Sequence, residues 1–309
     1  MKRKTVRHGY STLTVSLPSK WVKNNKIKPG QFLHLNTSKE GILISTDREE
    51  HFDTIETSLS SDKEWYIYRI LRHLYTYGYD EVKINYSKKE HLALIRKNLD
   101  QLTGFEIVES NSKYCKIKCV ISIDDQEYEN TVKRVMWLIL SQFNYFLEDA
   151  DKNKKPVMHE EIVEIYKTIS KLNNLCRRLI NKKTPYDSVT SKYAYWFLTS
   201  LLNISSFILY SYDYAKKTDK IELTKNEFEL VTKVRDLYHS LLQAYQNVNI
   251  ENTRGFFDER EAMFDDVLET LKEKNPVITH YFLDILKELS SIGNLILILK
   301  VNEENVGKE

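Results

Sequence analysis

Apolar residues change their spacing once along this chain, and the change divides it. Beyond about Gln126 they recur at three- and four-residue steps, as in Tyr128, Val132, Val135, Met136, Ile139, Phe143 and Leu147, and again in Ile162, Ile165, Ile169, Leu172, Leu175 and Leu179. That period belongs to amphipathic helices, so nothing past this point is expected to be a strand. Breaks at Lys152-Asn153-Lys154-Lys155-Pro156, Lys182-Lys183-Thr184-Pro185, Lys216-Lys217-Thr218-Asp219, Asn249-Ile250-Glu251-Asn252 and Asn275-Pro276 divide residues 125–309 into six helices. Six helices with short links predict two antiparallel three-helix units in series.

The first part of the chain alternates instead. Leu13, Val15 and Leu17 point one way and Thr12, Thr14 and Ser16 the other, the period of a half-buried strand, which Pro18 ends. Ser19 is placed to cap a short helix carrying Trp21 and Val22, and Pro29-Gly30 turns the chain into a strand pair, Phe32 to Leu35 and Ile42 to Ser45, joined at Ser38-Lys39-Glu40-Gly41. Residues 1–47 thus form a unit of four short strands and one helix. Even domains of about 60 residues are marginal alone, so dimerisation is the expected remedy. Residues 48–124 read as a small α+β domain. Strand-like Ile55 to Leu59 precedes a helix from Asp62 to Tyr77 stopped by Gly78; then come a strand at Val82 to Ile84, a helix from Lys88 to Leu102, and strands at Phe105 to Glu109 and Tyr114 to Ile123. The chain is therefore expected to be an α+β multidomain protein.

Charge follows the same division. The chain carries 46 Lys and Arg against 44 Asp and Glu, a net charge of only +2. Yet residues 1–39 hold nine basic residues (Lys2, Arg3, Lys4, Arg7, Lys20, Lys23, Lys26, Lys28 and Lys39) and no acidic one, leaving 37 basic against 44 acidic in the rest. A basic head on a mildly acidic body points to a head that meets a polyanion. Arg3, Lys4 and Arg7, with Lys20 and Lys23 on the helix, would contact phosphates, and the hydroxyls of Ser11, Thr12 and Thr14 would add neutral contacts.

Other chemistry has little to stand on. The eight histidines are scattered, and neither a His-Glu-x-x-His nor a Gly-x-Ser-x-Gly string occurs, so no enzyme, catalytic residue or cofactor is expected. No glycine-rich phosphate loop marks the middle segment. His159-Glu160-Glu161 reads as an acidic first helical turn favoured by the helix dipole. Glu261 and Asp265, with Asp258, Glu259 and Asp266 nearby, have the spacing of a metal pair but no matching pair on a facing helix, and read as an exposed acidic face. Cys115, Cys119 and Cys176 cannot form an even disulfide framework and lack zinc-knuckle spacing, which points to structural cysteines in a reducing, cytoplasmic setting. Trp196 to Tyr212 is interrupted by Thr199, Ser200, Asn203, Ser205 and Ser206, and Ile292 to Leu299 is shorter than the roughly 20 apolar residues a bilayer needs, so no membrane insertion is expected.

The string Arg7-His8-Gly9-Tyr10-Ser11-Thr12-Leu13-Thr14-Val15-Ser16-Leu17-Pro18-Ser19-Lys20-Trp21-Val22, followed by Ile27-Lys28-Pro29-Gly30-Gln31, resembles the AbrB/SpoVT (MazE-like) swapped-hairpin DNA-binding domain. The resemblance implies an intertwined homodimer through the head, binding double-stranded DNA through basic strand and loop residues: here Arg3, Lys4, Arg7, His8, Ser11, Thr12, Lys20 and Lys23. Residues Tyr77 to Ile84, Leu102 to Glu109 and Arg134 to Ala150 resemble archaeal phosphate-uptake regulators that join such a head to a PhoU-like helical body. That implies transcriptional control of phosphate uptake. PhoU-like bundles carry Glu-x-x-x-Asp motifs on core helices, whereas the matching positions here hold Leu202 and Ser206 in one bundle and Ser291 and Leu295 in the other, so no metal is expected.

Two rival readings start from the same residues. In one, a PhoU-like regulator docks a phosphate transporter or a kinase, and the head serves only to dimerise. In the other, the chain is an antitoxin, but such heads then carry a short and often disordered tail, unlike some 180 residues of helical periodicity.

Overall fold

The computed structural model describes residues 2–38, 41–46, 54–121, 125–182, 188–246 and 250–306. The chain divides into two compact units, residues 1–52 and 53–309. The first is a small β unit and the second a mostly helical body with a four-stranded sheet.

In the first unit β1 (Thr5–His8) pairs antiparallel with β2 (Thr12–Val15), closed by the three residues Gly9 to Ser11 with Gly9 at φ 78°. α1 (Ser19–Asn24) follows at once. Ser19, expected as its cap, is instead the first helical residue: Pro18 occupies the cap position and its carbonyl accepts from Val22 N–H at 2.9 Å. The proline's fixed φ, here −61°, fits the extended backbone of that position, and it offers no side-chain hydrogen bond to the helix. Gln31 N–H returns to Lys28 O at 3.1 Å across Pro29-Gly30, and Gly30 takes the positive φ of 85° that such a turn requires at its third residue. β3 (Leu33–Ser38) and β4 (Gly41–Thr46) then form a second antiparallel pair. Phe32, expected to open that strand, lies just before it; Lys39 and Glu40 of the expected turn lie outside the described residues. Leu17, Trp21, Val22, Ile27 and Leu33 are half-buried, and no described side chain of this unit is buried.

The body opens with β5 (Thr54–Ser58), α2 (Glu64–Tyr77), β6 (Glu81–Asn85), α3 (Lys89–Leu99), β7 (Phe105–Ser110) and β8 (Tyr114–Cys119). The sheet order is β5-β6-β8-β7, with β5 and β6 parallel across α2 and the other pairs antiparallel. Alternation buries Val82 and Ile84 of β6 and Cys115 and Ile117 of β8 against Ile67, Leu71 and Tyr75 of α2 and Ile95 of α3. Gly78 ends α2 at φ 111°, the left-handed conformation glycine adopts without strain.

Six helices follow: α4 (Asp125–Glu148), which runs into a π-helical turn at Asp149–Asn153, α5 (His159–Lys182), α6 (Ser188–Thr218), α7 (Lys225–Gln246), α8 (Ile250–Thr270) and α9 (Pro276–Val306). Of the expected break at 249–252, residues 250–252 already belong to α8 and Asn249 lies outside the described residues; 183–185 of another break also lie outside them. α4, α5 and α6 pack mutually, as do α7, α8 and α9, and the two trios meet along α6 against α9 and α4 against α7. Their core is continuous: Phe282 of α9 lies 5.2 Å from Phe146 and 6.2 Å from Phe143 of α4, ring centre to ring centre. No helix is long and apolar enough to cross a membrane among the described residues.

The boundary expected near residue 124 separates two cores but not two compact units. Leu175 and Leu179 of α5 belong to the core of the sheet segment. Between them Arg178, 4 % exposed, donates Nη1 to Tyr75 O at 2.9 Å and Tyr79 O at 2.8 Å and Nη2 to Asp80 Oδ1 at 2.7 Å. Lys182 reaches the other Asp80 oxygen, and Asn181 Nδ2 donates to Thr76 O at 2.6 Å. The Tyr75 and Thr76 carbonyls in the last turn of α2, and that of Tyr79 just past it, thus accept from one guanidinium and one amide of a helix a hundred residues away.

Candidate nucleic-acid interface

The eight residues expected to contact DNA, Arg3, Lys4, Arg7, His8, Ser11, Thr12, Lys20 and Lys23, are all exposed. The hairpin does not present them on one surface. Residues opposite one another in an antiparallel ladder share a face, and Arg7 lies opposite Leu13 while His8 lies opposite Thr12. One face therefore carries Thr5, Arg7, Leu13 and Val15, and the other Val6, His8, Thr12 and Thr14. The strand expected to be half-buried through Leu13 and Val15 is exposed on both faces, because no described element of this unit covers either face.

Neighbouring groups fill in around the hairpin. Arg3 Nη1 reaches Ser16 Oγ at 3.5 Å, beside the end of β2. Thr14 Oγ1 donates to Val6 O at 3.1 Å, so its proton is committed within the hairpin while its oxygen can still accept. Lys20 and Lys23, three apart on α1, project from one side of the helix. Residues 2–38 contain no carboxylate, and Lys4, Arg7, Lys20 and Lys23 form no ion pair among the described residues.

Cations and uncovered apolar groups share this unit. Val6, Leu13, Val15, Phe32, Leu35 and Ile42 are all exposed, Phe32 to 87 %. Scattered exposed apolar residues are ordinary, but here they make up much of the described apolar content of a unit in which no described side chain is buried. Such a surface can bind phosphates electrostatically and bury apolar area against another chain.

The remaining candidates resolve into structural roles. His159 Nε2 meets Asp213 Oδ1 at 2.8 Å, and Lys216 Nζ lies 3.0 Å from its Nδ1 and 2.8 Å from Glu160 Oε1, so the first turn of α5 is tied to the end of α6. The bond to Lys216 holds the Glu160 carboxyl below its usual range. Glu261 is exposed and paired with Arg260 at 2.8 Å, and Asp258 faces Arg254 at 3.8 Å; Glu259 is also exposed, while the side chains of Asp265 and Asp266 lie outside the described residues. No cluster of three or more His, Cys, Asp or Glu able to hold a metal ion occurs among the described residues. Leu295 is in the core, whereas Leu202, Ser206 and Ser291 are only half-buried, both serines donating to the carbonyl one turn back. Cys115 and Cys176 are buried, which pushes their thiols up to about 11 and about 12, and Cys119 is half-buried. The two buried thiols, Cys115 and Cys176, stay protonated and unreactive.

Sequence reasoning missed the Arg178 to Asp80 junction. Its local signal is absent: nothing in the periodicity of α5 distinguishes an arginine that meets solvent from one that meets a helix end. Comparison of the chain with protein-family models, with curated proteins and with solved structures finds no match.

Proposed function

We propose that this chain is a DNA-binding transcriptional regulator that dimerises through its first unit, with the helical body as a sensing or docking module. The observation that carries the reading is the pairing of a carboxylate-free cationic surface with an uncovered apolar one in a unit that buries no described side chain. A second copy is the occupant that fits the apolar surface. It supplies the missing core symmetrically, as the AbrB/SpoVT-like swapped hairpin would, and brings two cationic hairpins side by side on one duplex.

The sequence resemblance extends the reading to control of phosphate uptake by a PhoU-like body. Support for that step is the arrangement of six helices as two mutually packed trios. It rests on resemblance of architecture, and fold alone does not fix function.

The test is binding of the purified protein to fragmented genomic DNA over a salt series, with the bound fragments sequenced. Enrichment of discrete promoter fragments, with a log-log salt slope of about −0.9 per neutralised phosphate, is expected. Replacing Arg3, Lys4 and Arg7 together by Ala should flatten that slope. Retention of full, equally salt-sensitive binding by the triple variant would move the interface elsewhere. No retardation of any DNA at low salt, with capture of a transporter ATPase, would replace this reading by the docking one.

A further inference from the structure

Three arginines of the body lie where α5 packs along α2, and among the described residues none of them pairs with a carboxylate. Arg69 and Arg72 lie three apart on α2, where Arg69 stacks over Trp65 at 5.3 Å and Arg72 over Tyr68 at 6.0 Å from the ring centres. Arg177 comes from α5 and lies over the Tyr195 ring of α6 at 4.7 Å, donating Nη2 to Thr199 Oγ1 at 3.0 Å. The hydrogen bond from Asn174 Nδ2 to Tyr68 Oη at 3.4 Å and that from Asn181 to Thr76 hold α2 along α5, so Arg72 is brought to the same level as Arg177.

Their mutual field is visible in their neighbours. Burial first, and then Arg72, Arg69 and Arg177, hold the His73 imidazole below its ordinary range. Burial and the Arg72 charge likewise weaken the hold of Arg177 on its proton, and Arg177 Nε is buried with no acceptor. No carboxylate pairs with Arg69, Arg72 or Arg177 among the described residues. Arg178, one residue further on, shows what the fold does when it neutralises a cation: it supplies Asp80.

Arg69 is exposed while Arg72 and Arg177 are half-buried, so the repulsion within the cluster is only partly screened by water and a counter-charge from outside the chain would relieve it. Three guanidinium forks offer more donors and charge than one carboxylate could use, and their planar geometry suits a tetrahedral, multiply charged oxyanion. We propose that Arg69, Arg72 and Arg177, with His73, form a binding site for a phosphate-type oxyanion, free or carried on a small molecule, at the junction of α2, α5 and α6. This deepens the sensing role given to the body and is read on the body whether or not the first unit binds DNA.

The test uses the full chain with pyrophosphate, inorganic phosphate and glycerol phosphate as probes, each against sodium chloride at equal ionic strength, by calorimetry and thermal unfolding. The parent should bind at least one probe and gain Tm; preference for the inorganic anions identifies a free ligand, preference for the monoester an esterified one. R69Q/R72Q should have a higher Tm than the parent without anion, because repulsion is relieved, and bind the probes about tenfold or more weakly. R177K, which keeps the charge but loses the fork, should also weaken binding. The Arg3, Lys4 and Arg7 triple Ala variant should keep the whole response, so failure of DNA binding and failure of this site are read separately. The proposal is overturned if no probe acts beyond chloride, if R69Q/R72Q responds as the parent does, or if R69Q/R72Q loses duplex DNA affinity as much as the triple variant does.

Discussion

The two units of this chain handle their apolar residues in opposite ways. In the body, aromatic and aliphatic side chains from the sheet and the helices close into two cores, and α5 contributes to both: Ile162, Ile169 and Cys176 to one, Leu175 and Leu179 to the other. In residues 2–46 side chains of the same kind, Leu13, Val15, Phe32 and Leu35 among them, stay in solvent. Burial is the main favourable contribution to folding, so the body can be stable as one chain whereas the small unit needs area from elsewhere. The contrast teaches that the apolar content of a segment says little about its independence. How many elements are available to cover it decides the matter.

The largest effects that would test this contrast lie at the junction within the body. Arg178→Ala should cost about 3–5 kcal/mol in urea unfolding, since three hydrogen bonds of the buried guanidinium, to Asp80 and to the Tyr75 and Tyr79 carbonyls, are lost while Lys182 still meets Asp80. A loss below 1 kcal/mol would mean that the sheet segment and the helices stand independently. Phe282→Ala removes the ring that touches both Phe143 and Phe146, and should cost about 3–5 kcal/mol in a single transition. If two transitions appeared, the trios of helices would be separate units. Gly78→Ala puts a Cβ at positive φ and 3.1 Å from the Lys182 side chain, and a loss of about 1–2 kcal/mol is expected.

The small unit should answer in association instead. Leu13→Asp with Leu35→Asp should move the sedimenting species to monomer mass while leaving the unfolding of the body within about 0.5 kcal/mol. A stable dimer in this variant would mean that another surface joins the copies.

The smallest effect is at acid pH. Hydrogen bonds from Lys116 and Tyr114 hold the Glu109 carboxyl below its ordinary value of 4.5, as those from Asn85 and Lys83 hold Glu56. Each favours the folded state above pH 4.5, and the contribution disappears as pH falls through the depressed folded value. Glu109→Gln should therefore flatten the acid limb of the stability curve; an unchanged limb would show that this surface network contributes nothing.

Local features carried much of the architecture. Alternation around Leu13 and Val15, the Pro29-Gly30 turn, Gly78 as a helix stop and the proline- and lysine-rich breaks each act within a few residues, so α1, β2, α2 and the six later helices were legible in order. The site was less so. Which face Arg7 shares depends on the ladder with β2, which pairs it with Leu13, and not on its own neighbours. The arginines of α2 stood at helical spacing in plain view, but Arg177 joins them only through the packing of α5, about a hundred positions on.

The distance along the chain between Asp80 and Arg178, 98 residues, is also an interval of time. At a synthesis rate of about 5–20 residues per second, α2 and its sheet are made roughly 5–20 s before the side chain that closes over them. During that interval the Tyr75 and Tyr79 carbonyls have water in place of a guanidinium, and the apolar edge later covered by Leu175 and Leu179 is open. The sheet segment is thus born unfinished, and α5 does for it within one chain what a chaperone would do only by leaving again.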